Sequence, residues 1–195
     1  MSLYEDRQGN FWVGATNGAL CMYDRKHDNF IHFKESNGNY QGLSQKSVTA
    51  IYEDRLNNFW VGTYWKLNLL DRKTGKITQF ANDPLDSNSL SNNGITSIFE
   101  DTKNNLWIGT ANGLNLMDRK TKKFKHYFHD DSNPNSLSND NISVINEDTQ
   151  GRLWIGTSKG LNLFNPISNS FTRFINDPNN PVSIAQDHIL SLIHI

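Results

Sequence analysis

Apolar residues in this chain come in short bursts, each closed by Asn, Asp, Gly or Lys. Bursts this short, rich in aromatic and β-branched residues, suit strands joined by turns better than helices. Residues 48–94 show the pattern in full. Val48-Thr-Ala-Ile-Tyr-Glu-Asp54 reads as a first strand, Phe59–Thr63 as a second, Leu67–Asp71 as a third and Ile77–Phe80 as a fourth. The turns Arg55–Asn58, Tyr64–Lys66 and Arg72–Lys76 between them are of hairpin length, which predicts an antiparallel meander. The polar loop Ala81–Gly94 then leads to the next first strand, Ile95–Asp101.

The unit recurs. Trp12, Trp60, Trp107 and Trp154 stand 48, 47 and 47 residues apart, each in the frame Glu-Asp-x-x-(Gly/Asn)-x-(Phe/Leu)-Trp-(Val/Ile)-Gly. A period of this size marks one supersecondary unit that has been copied, and no copy buries its apolar faces alone. The 195 residues therefore read as one domain of four repeats, roughly 1–47, 48–94, 95–141 and 142–188. Residues 189–195 either start a further unit or form a non-native tail, because the frame predicts Glu-Asp at 194–195 and the chain has His-Ile.

First strands carry large apolar residues at their first and fourth positions (Val48/Ile51, Ile95/Ile98, Ile142/Ile145) with small ones between. In a regular strand, positions three apart face opposite sides, so both faces are expected to be buried. Small residues fit where several sheets converge on an axis, as on the inner strand of a β-propeller blade. The expected fold is all-β, an open four-blade segment of a larger propeller. Each in-register tryptophan is expected to be blade core, worth about 4–6 kcal/mol of gross transfer energy for roughly 150–250 Å² buried.

Composition removes several function classes. A formal net charge of −1 without a basic cluster lacks the footprint of a nucleic-acid binder. The longest apolar run is far short of a membrane span, so no membrane insertion of this segment is expected, and one cysteine, Cys21, leaves the redox compartment open.

The words Glu-Asp-Arg-Gln-Gly-Asn-Phe-Trp-Val-Gly (5–14), Leu-Trp-Ile-Gly-Thr-Ala-Asn-Gly-Leu-Asn (106–115) and Leu-Trp-Ile-Gly-Thr-Ser-Lys-Gly-Leu-Asn (153–162) resemble the two-component regulator propeller repeat. That resemblance covers essentially the whole chain. It implies the periplasmic sensor region of a bacterial hybrid histidine kinase, often one reading carbohydrate breakdown products. Its implied partners are further blades and the kinase region of a parent chain, together with an oligosaccharide ligand.

In a meander blade, the turns between second and third strands share one rim with the loops between blades. That rim is where a propeller normally binds its ligand. The turn reads Ala111-Asn112-Gly113 in repeat three and Ser158-Lys159-Gly160 in repeat four, but Tyr64-Trp65-Lys66 in repeat two. Two aromatics beside a cation make a plausible sugar platform, since pyranose faces pack on rings. Tyr64, Trp65, Lys66, Asn112 and Lys159 are therefore the candidate ligand residues, against the alternative that the aromatics only fill space beside a neighbouring loop.

Other clusters read as structural. The Asp- and Asn-rich loops 82–91, 131–138 and 176–183 lack the spaced ligands of a calcium loop and suit Asx turns pinned by Leu90 and Leu137. His126 and His129, three apart on a strand, would not converge on a metal. The repeated Glu-Asp pairs suit turn capping better than acid–base work. No catalytic motif, metal site or cofactor site is expected. A ligand sensor leads the function classes, ahead of a protein-interaction scaffold using the same rim for protein partners, and of a propeller polysaccharide lyase or hydrolase; separately, the open blade faces of a four-blade arc are expected to invite self-association.

Overall fold

A computed structural model describes residues 2–16, 20–33, 43 and 47–192. Sixteen strands form four sheets of four, each a meander paired in chain order. The first holds β1 (Ser2–Glu5), β2 (Phe11–Gly14), β3 (Leu20–Asp24) and β4 (Asn29–Phe33). The second holds β5 (Val48–Glu53), β6 (Phe59–Thr63), β7 (Leu67–Leu70) and β8 (Ile77–Phe80). The third holds β9 (Ile95–Glu100), β10 (Leu106–Thr110), β11 (Leu114–Met117) and β12 (Phe124–Tyr127). The fourth holds β13 (Ile142–Glu147), β14 (Leu153–Thr157), β15 (Gly160–Asn165) and β16 (Ser170–Phe174).

Inner strands pack in series, β1 on β5, β5 on β9 and β9 on β13, which is the arrangement of propeller blades. Among the described residues no comparable packing joins β13 to β1, so the blades form an open arc. Each junction is an apolar core made by two neighbours. Trp12 and Leu20 of the first blade lie against Val48, Ile51, Phe59 and Val61 of the second. Trp60, Leu67 and Leu90 repeat this against Ile95, Ile98 and Ile108, and Trp107, Leu114 and Leu137 against Ile142, Ile145 and Ile155. The tryptophans are blade core, as their register implied. Trp12, Trp60 and Trp107 are fully buried, while Trp154, with no following blade, is half-buried.

One expectation is corrected. Val48 and Ile51 do not face opposite sides; they enter the same core, as do Ile95/Ile98 and Ile142/Ile145. A β-bulge falls between them: Val48 pairs Thr63, Ala50 pairs Gly62 and Ile51 pairs Val61, leaving Thr49 as the extra residue. Thr96 and Ser143 occupy the same place in the next two inner strands. An inserted residue resets the alternation, so a spacing of three returns to the same face.

The glycine near the end of each second strand (Gly14, Gly62, Gly109, Gly156) lets the next inner strand approach. A Cβ on Gly109 would stand 2.7 Å from Ile142 Cγ2, and one on Gly156 would stand 2.7 Å from Ile189 Cγ2. Residues 189–192 are not a strand, yet Ile189 lies against blade four in the place of Ile142 against blade three, with its N–H on the Thr157 carbonyl at 3.1 Å. His194 and Ile195 lie outside the described residues.

Candidate ligand rim

Two rims result, and they are built differently. On one, the turn between first and second strands holds the Glu-Asp pair. Asp54 accepts from the N–H groups of Leu56 and Asn58, from Asn58 Nδ2 and from the Trp60 indole N–H, at 2.9–3.0 Å. Asp6, Asp101 and Asp148 hold Trp12, Trp107 and Trp154 in the same way, at 2.8–2.9 Å. The turn needs a left-handed residue at its fourth position, filled by Gly9, Asn57, Asn104 and Gly151, which accounts for the Gly/Asn alternation in the frame.

The glutamates of blades two, three and four reach the preceding blade. Glu53 accepts the Arg7 N–H at 2.8 Å, Glu100 the Arg55 N–H at 2.7 Å and Glu147 the Thr102 N–H at 2.8 Å. Arginines from the turn after the third strand complete the lattice. Arg72 bridges Asp6 of blade one (2.7 Å) and Glu53 of its own blade. Arg119 bridges Asp54 of blade two (2.6 Å) and Glu100 (2.5 Å). At the next repeat this position is Pro166, and Thr102 Oγ1 donates to Glu147 at 2.7 Å instead. Burial raises the Asp6 and Asp54 carboxyls, but hydrogen bonds from Trp and Asn side chains outweigh it and hold both below the ordinary carboxylate range. These pairs are architecture, tying each turn to the adjacent blade.

The opposite rim carries the inter-blade loops and the turns after the second strands. The Ala111 N–H donates to the Gly94 carbonyl at 2.9 Å, Gly113 N–H to Asp140 at 2.7 Å and Ser158 N–H to Asn141 at 3.1 Å. The loops repeat one design. Asp83, Asp130 and Asp177 N–H groups donate to Ser89, Ser136 and Ser183 hydroxyls at 2.8–3.0 Å. Leu90 and Leu137 are fully buried beneath, as anchors should be. His126 and His129 part company: one bonds the Ser89 carbonyl, the other the Leu137 carbonyl, each at 2.6 Å.

At the turn itself the blades differ. Gly113 (φ 104°) and Gly160 (φ 121°) are left-handed, and a Cβ on Gly113 would stand 2.7 Å from the Phe128 ring. Blade two replaces both partners: Lys66 stands where the glycine would be, and Ala81 stands where Phe128 would be. The Lys66 Nζ donates to Gln79 Oε1 at 2.9 Å, so its charge lies along blade two. Tyr64 (59 % exposed) and Trp65 (44 % exposed) project from this turn. Gly94 lies between them and the next turn, the site of its missing Cβ being 3.4 Å from Ala111 Cβ and 3.9 Å from the Tyr64 carbonyl. Asn112 and Lys159 are exposed on the two following turns of the same rim, each on its own blade, and no contact described joins either to the aromatic pair.

A groove of about 830 Å³ lies on the other rim, lined by Arg7, Glu53, Asn58, Arg72 and Lys76 among others. Its Arg72 and Glu53 are committed to the inter-blade lattice, and most of its lining belongs to the repeated turns. Shape and repeat-breaking chemistry therefore point to opposite rims, and the chemistry carries more weight because the groove restates the architecture.

A family model described as two component regulator propeller matches residues 1–17, 42–65, 89–112 and 136–159, one segment per blade. The chain carries four segments similar to the two-component regulator propeller repeat. Among curated proteins no sequence match was found. Among solved structures, the extracellular domain of a B. thetaiotaomicron hybrid two component system is similar over 93 % of this chain and 23 % of its own, at 24 % identity and TM-score 0.74. A second such domain from the same organism is similar over 88 % of this chain and 29 % of its own, at 25 % identity and TM-score 0.61. The chain thus spans about a quarter of the length of these structures. A Staphylococcus aureus virginiamycin B lyase, at 16 % identity and TM-score 0.64, shares the fold alone.

Proposed function

We propose that this repeat array is part of the periplasmic, ligand-sensing propeller of a hybrid two-component sensor. In this reading, residues 1–195 are one segment of a longer propeller, whose parent chain carries the kinase. The rim bearing Tyr64 and Trp65 receives a carbohydrate-derived ligand, with the Lys66, Asn112 and Lys159 side chains as polar contacts around it. The observation that carries the reading is the blade-two turn. There the glycine of the sibling turns is absent, and two exposed aromatics stand on the rim that the inter-blade loops share. Sugar rings stack on such faces, and the neighbouring amides and cations supply hydrogen bonds. The similarity to extracellular domains of hybrid two component systems supports the sensor class and the placement outside the cytoplasm.

The test is calorimetric titration of oligosaccharides, neutral and uronate-containing, against the chain and against Trp65→Ala. Loss of binding with an unshifted melting temperature is expected. Undiminished affinity in Trp65→Ala would sink the assignment of the rim.

A further inference from the structure

The groove beside the Glu-Asp turns has walls that repeat from blade to blade, but the bonds that would close it do not repeat. It lies at one end of blade two, among the turn at 55–58, the turn at 71–76 and the Arg7-Gln8 step of blade one. In blade three, the arginines at the matching places are both tied across the turn. Arg55 Nη1 donates to the Asp101 carbonyl at 2.8 Å and to Asn104 Oδ1 at 3.2 Å, and Arg119 Nε donates to the Asn104 carbonyl at 3.1 Å. Blade two offers the same acceptors in Asp54 and Asn57, yet among the described residues neither the Arg7 guanidinium nor Arg72 Nε takes them. Thr78 lines the groove where the longer Lys125 stands in blade three. Blade two is therefore open where blade three is tied down.

The charge facing this opening is positive. Arg7, Arg72, Lys73 and Lys76 line it against two carboxylates, Glu53 and Asp71. Both carboxylates already have donors. Glu53 accepts the Arg7 N–H and the Arg72 guanidinium. Asp71 caps its own turn, accepting from the Lys73 N–H at 2.9 Å and from the Thr74 hydroxyl at 2.7 Å. The Arg7 guanidinium and the Lys73 and Lys76 ammonium groups have no hydrogen-bond partner among the described residues.

We infer that this groove is a second binding site, one for an oxyanion group (sulfate, phosphate or carboxylate) carried on a body of sugar size. Arg7 offers a planar fork to two oxygens, and Lys73 and Lys76 add point charges beside it. The anion gives Arg7 what Asn104 and the Asp101 carbonyl give Arg55. A volume of about 830 Å³ admits a small ligand whole. The groove sits on turns of blades one and two inside the arc, on the rim opposite Trp65, so its occupant is independent of any ligand held there.

Calorimetric titration of the full chain tests this with four probes that share one sugar ring: glucose 6-phosphate, glucose 6-sulfate, glucuronate and glucose. At least one charged probe should bind, more weakly as sodium chloride is raised, and glucose should not; the tightest of the three names the anionic group. Arg7→Gln, which keeps the backbone N–H that Glu53 accepts, and Lys76→Gln should each weaken binding about tenfold. Lys120→Gln, the same change at the place of Lys73 in blade three, should leave it unchanged, as should Trp65→Ala. No binding of any charged probe, or equal binding of glucose, would overturn the inference. So would a loss in Lys120→Gln equal to that in Arg7→Gln, or loss of the anion in Trp65→Ala.

Discussion

The turns after the first strands keep one design in all four blades, whereas the turns after the second strands on the opposite rim do not. On the lattice rim, each turn residue serves two blades: Asp54 organises its own turn and Trp60, and also receives Arg119 from blade three. A change there disturbs two junction elements at once. On the ligand rim, the turn after the second strand is held by its own threonine, Thr63, Thr110 or Thr157, whose hydroxyl bonds the carbonyl three residues on. The two residues between are free to change, and in blade two they became tyrosine and tryptophan. Freedom to vary thus follows from how many blades a residue holds.

The lattice rim should be the costlier to disturb. Asp54→Ala leaves the buried indole N–H, two turn N–H groups and Arg119 without their acceptor, and a loss of about 3–5 kcal/mol is expected in chemical denaturation. Its carboxyl lies below its ordinary range when folded and returns to about 3.9 on unfolding. The stabilisation it gives is therefore complete above about pH 4–5 and is lost as pH falls through the lower, folded value. Asp54→Asn should flatten that acid limb of a melting-temperature profile; an unchanged limb would place the acid sensitivity elsewhere.

The three junctions provide an internal grading. Arg119→Met removes the cation that pairs with Asp54 and Glu100, both buried, and should cost about 2–3 kcal/mol. Thr102→Val removes only a hydroxyl from Glu147 at the junction that has Pro166 instead of arginine, and should cost about 1 kcal/mol. Equal losses would show that the guanidinium adds nothing beyond a single hydrogen bond.

On the ligand rim, the same turn position should respond unequally in two blades. Gly113→Ala must place a Cβ at φ 104° against Phe128, for a cost of about 1–3 kcal/mol. Lys66→Ala, at the matching place beside Ala81, should change stability by less than about 0.5 kcal/mol. A large loss in Lys66→Ala would mean that the blade-two turn is locked after all.

Much of this architecture was legible because the repeat states it four times. The strand bounds of the second repeat, the tryptophan core and the two rims all follow from period and turn chemistry. The bulge was not, because Val48-Thr-Ala-Ile51 is equally good sequence for a regular strand, and only the pairing partners Thr63 and Val61 reveal the extra residue. Nor were the arginine bridges, since Arg72 and Asp6 lie 66 residues apart and their proximity is a property of neighbouring blades. At the rim, the sequence singled out Tyr64 and Trp65 by their departure from the repeat. It offered nothing to say that Lys66 turns its charge toward Gln79, because those two residues, 13 apart, meet only through the pairing of β7 with β8.

The smallest effect expected on the ligand rim concerns a loop that titrates. Asn82 and Asn176 donate through Nδ2 to the Leu90 and Ile184 carbonyls at 2.7 Å, closing their loops with an uncharged group. His129 does the same work in the third loop, through Nδ1 to the Leu137 carbonyl, with Nε2 2.9 Å from Asp131. The carbonyl first, and Asp131 second, raise its pKa above the usual imidazole value. Its contribution is therefore full below about pH 6.5 and fades as pH rises through the higher, folded value. Amide exchange in residues 130–136 should quicken over that window beyond the intrinsic pH effect, while the loop at 83–89 should not. His129→Asn should make the two loops behave alike; a persistent difference would show that the imidazole closes nothing.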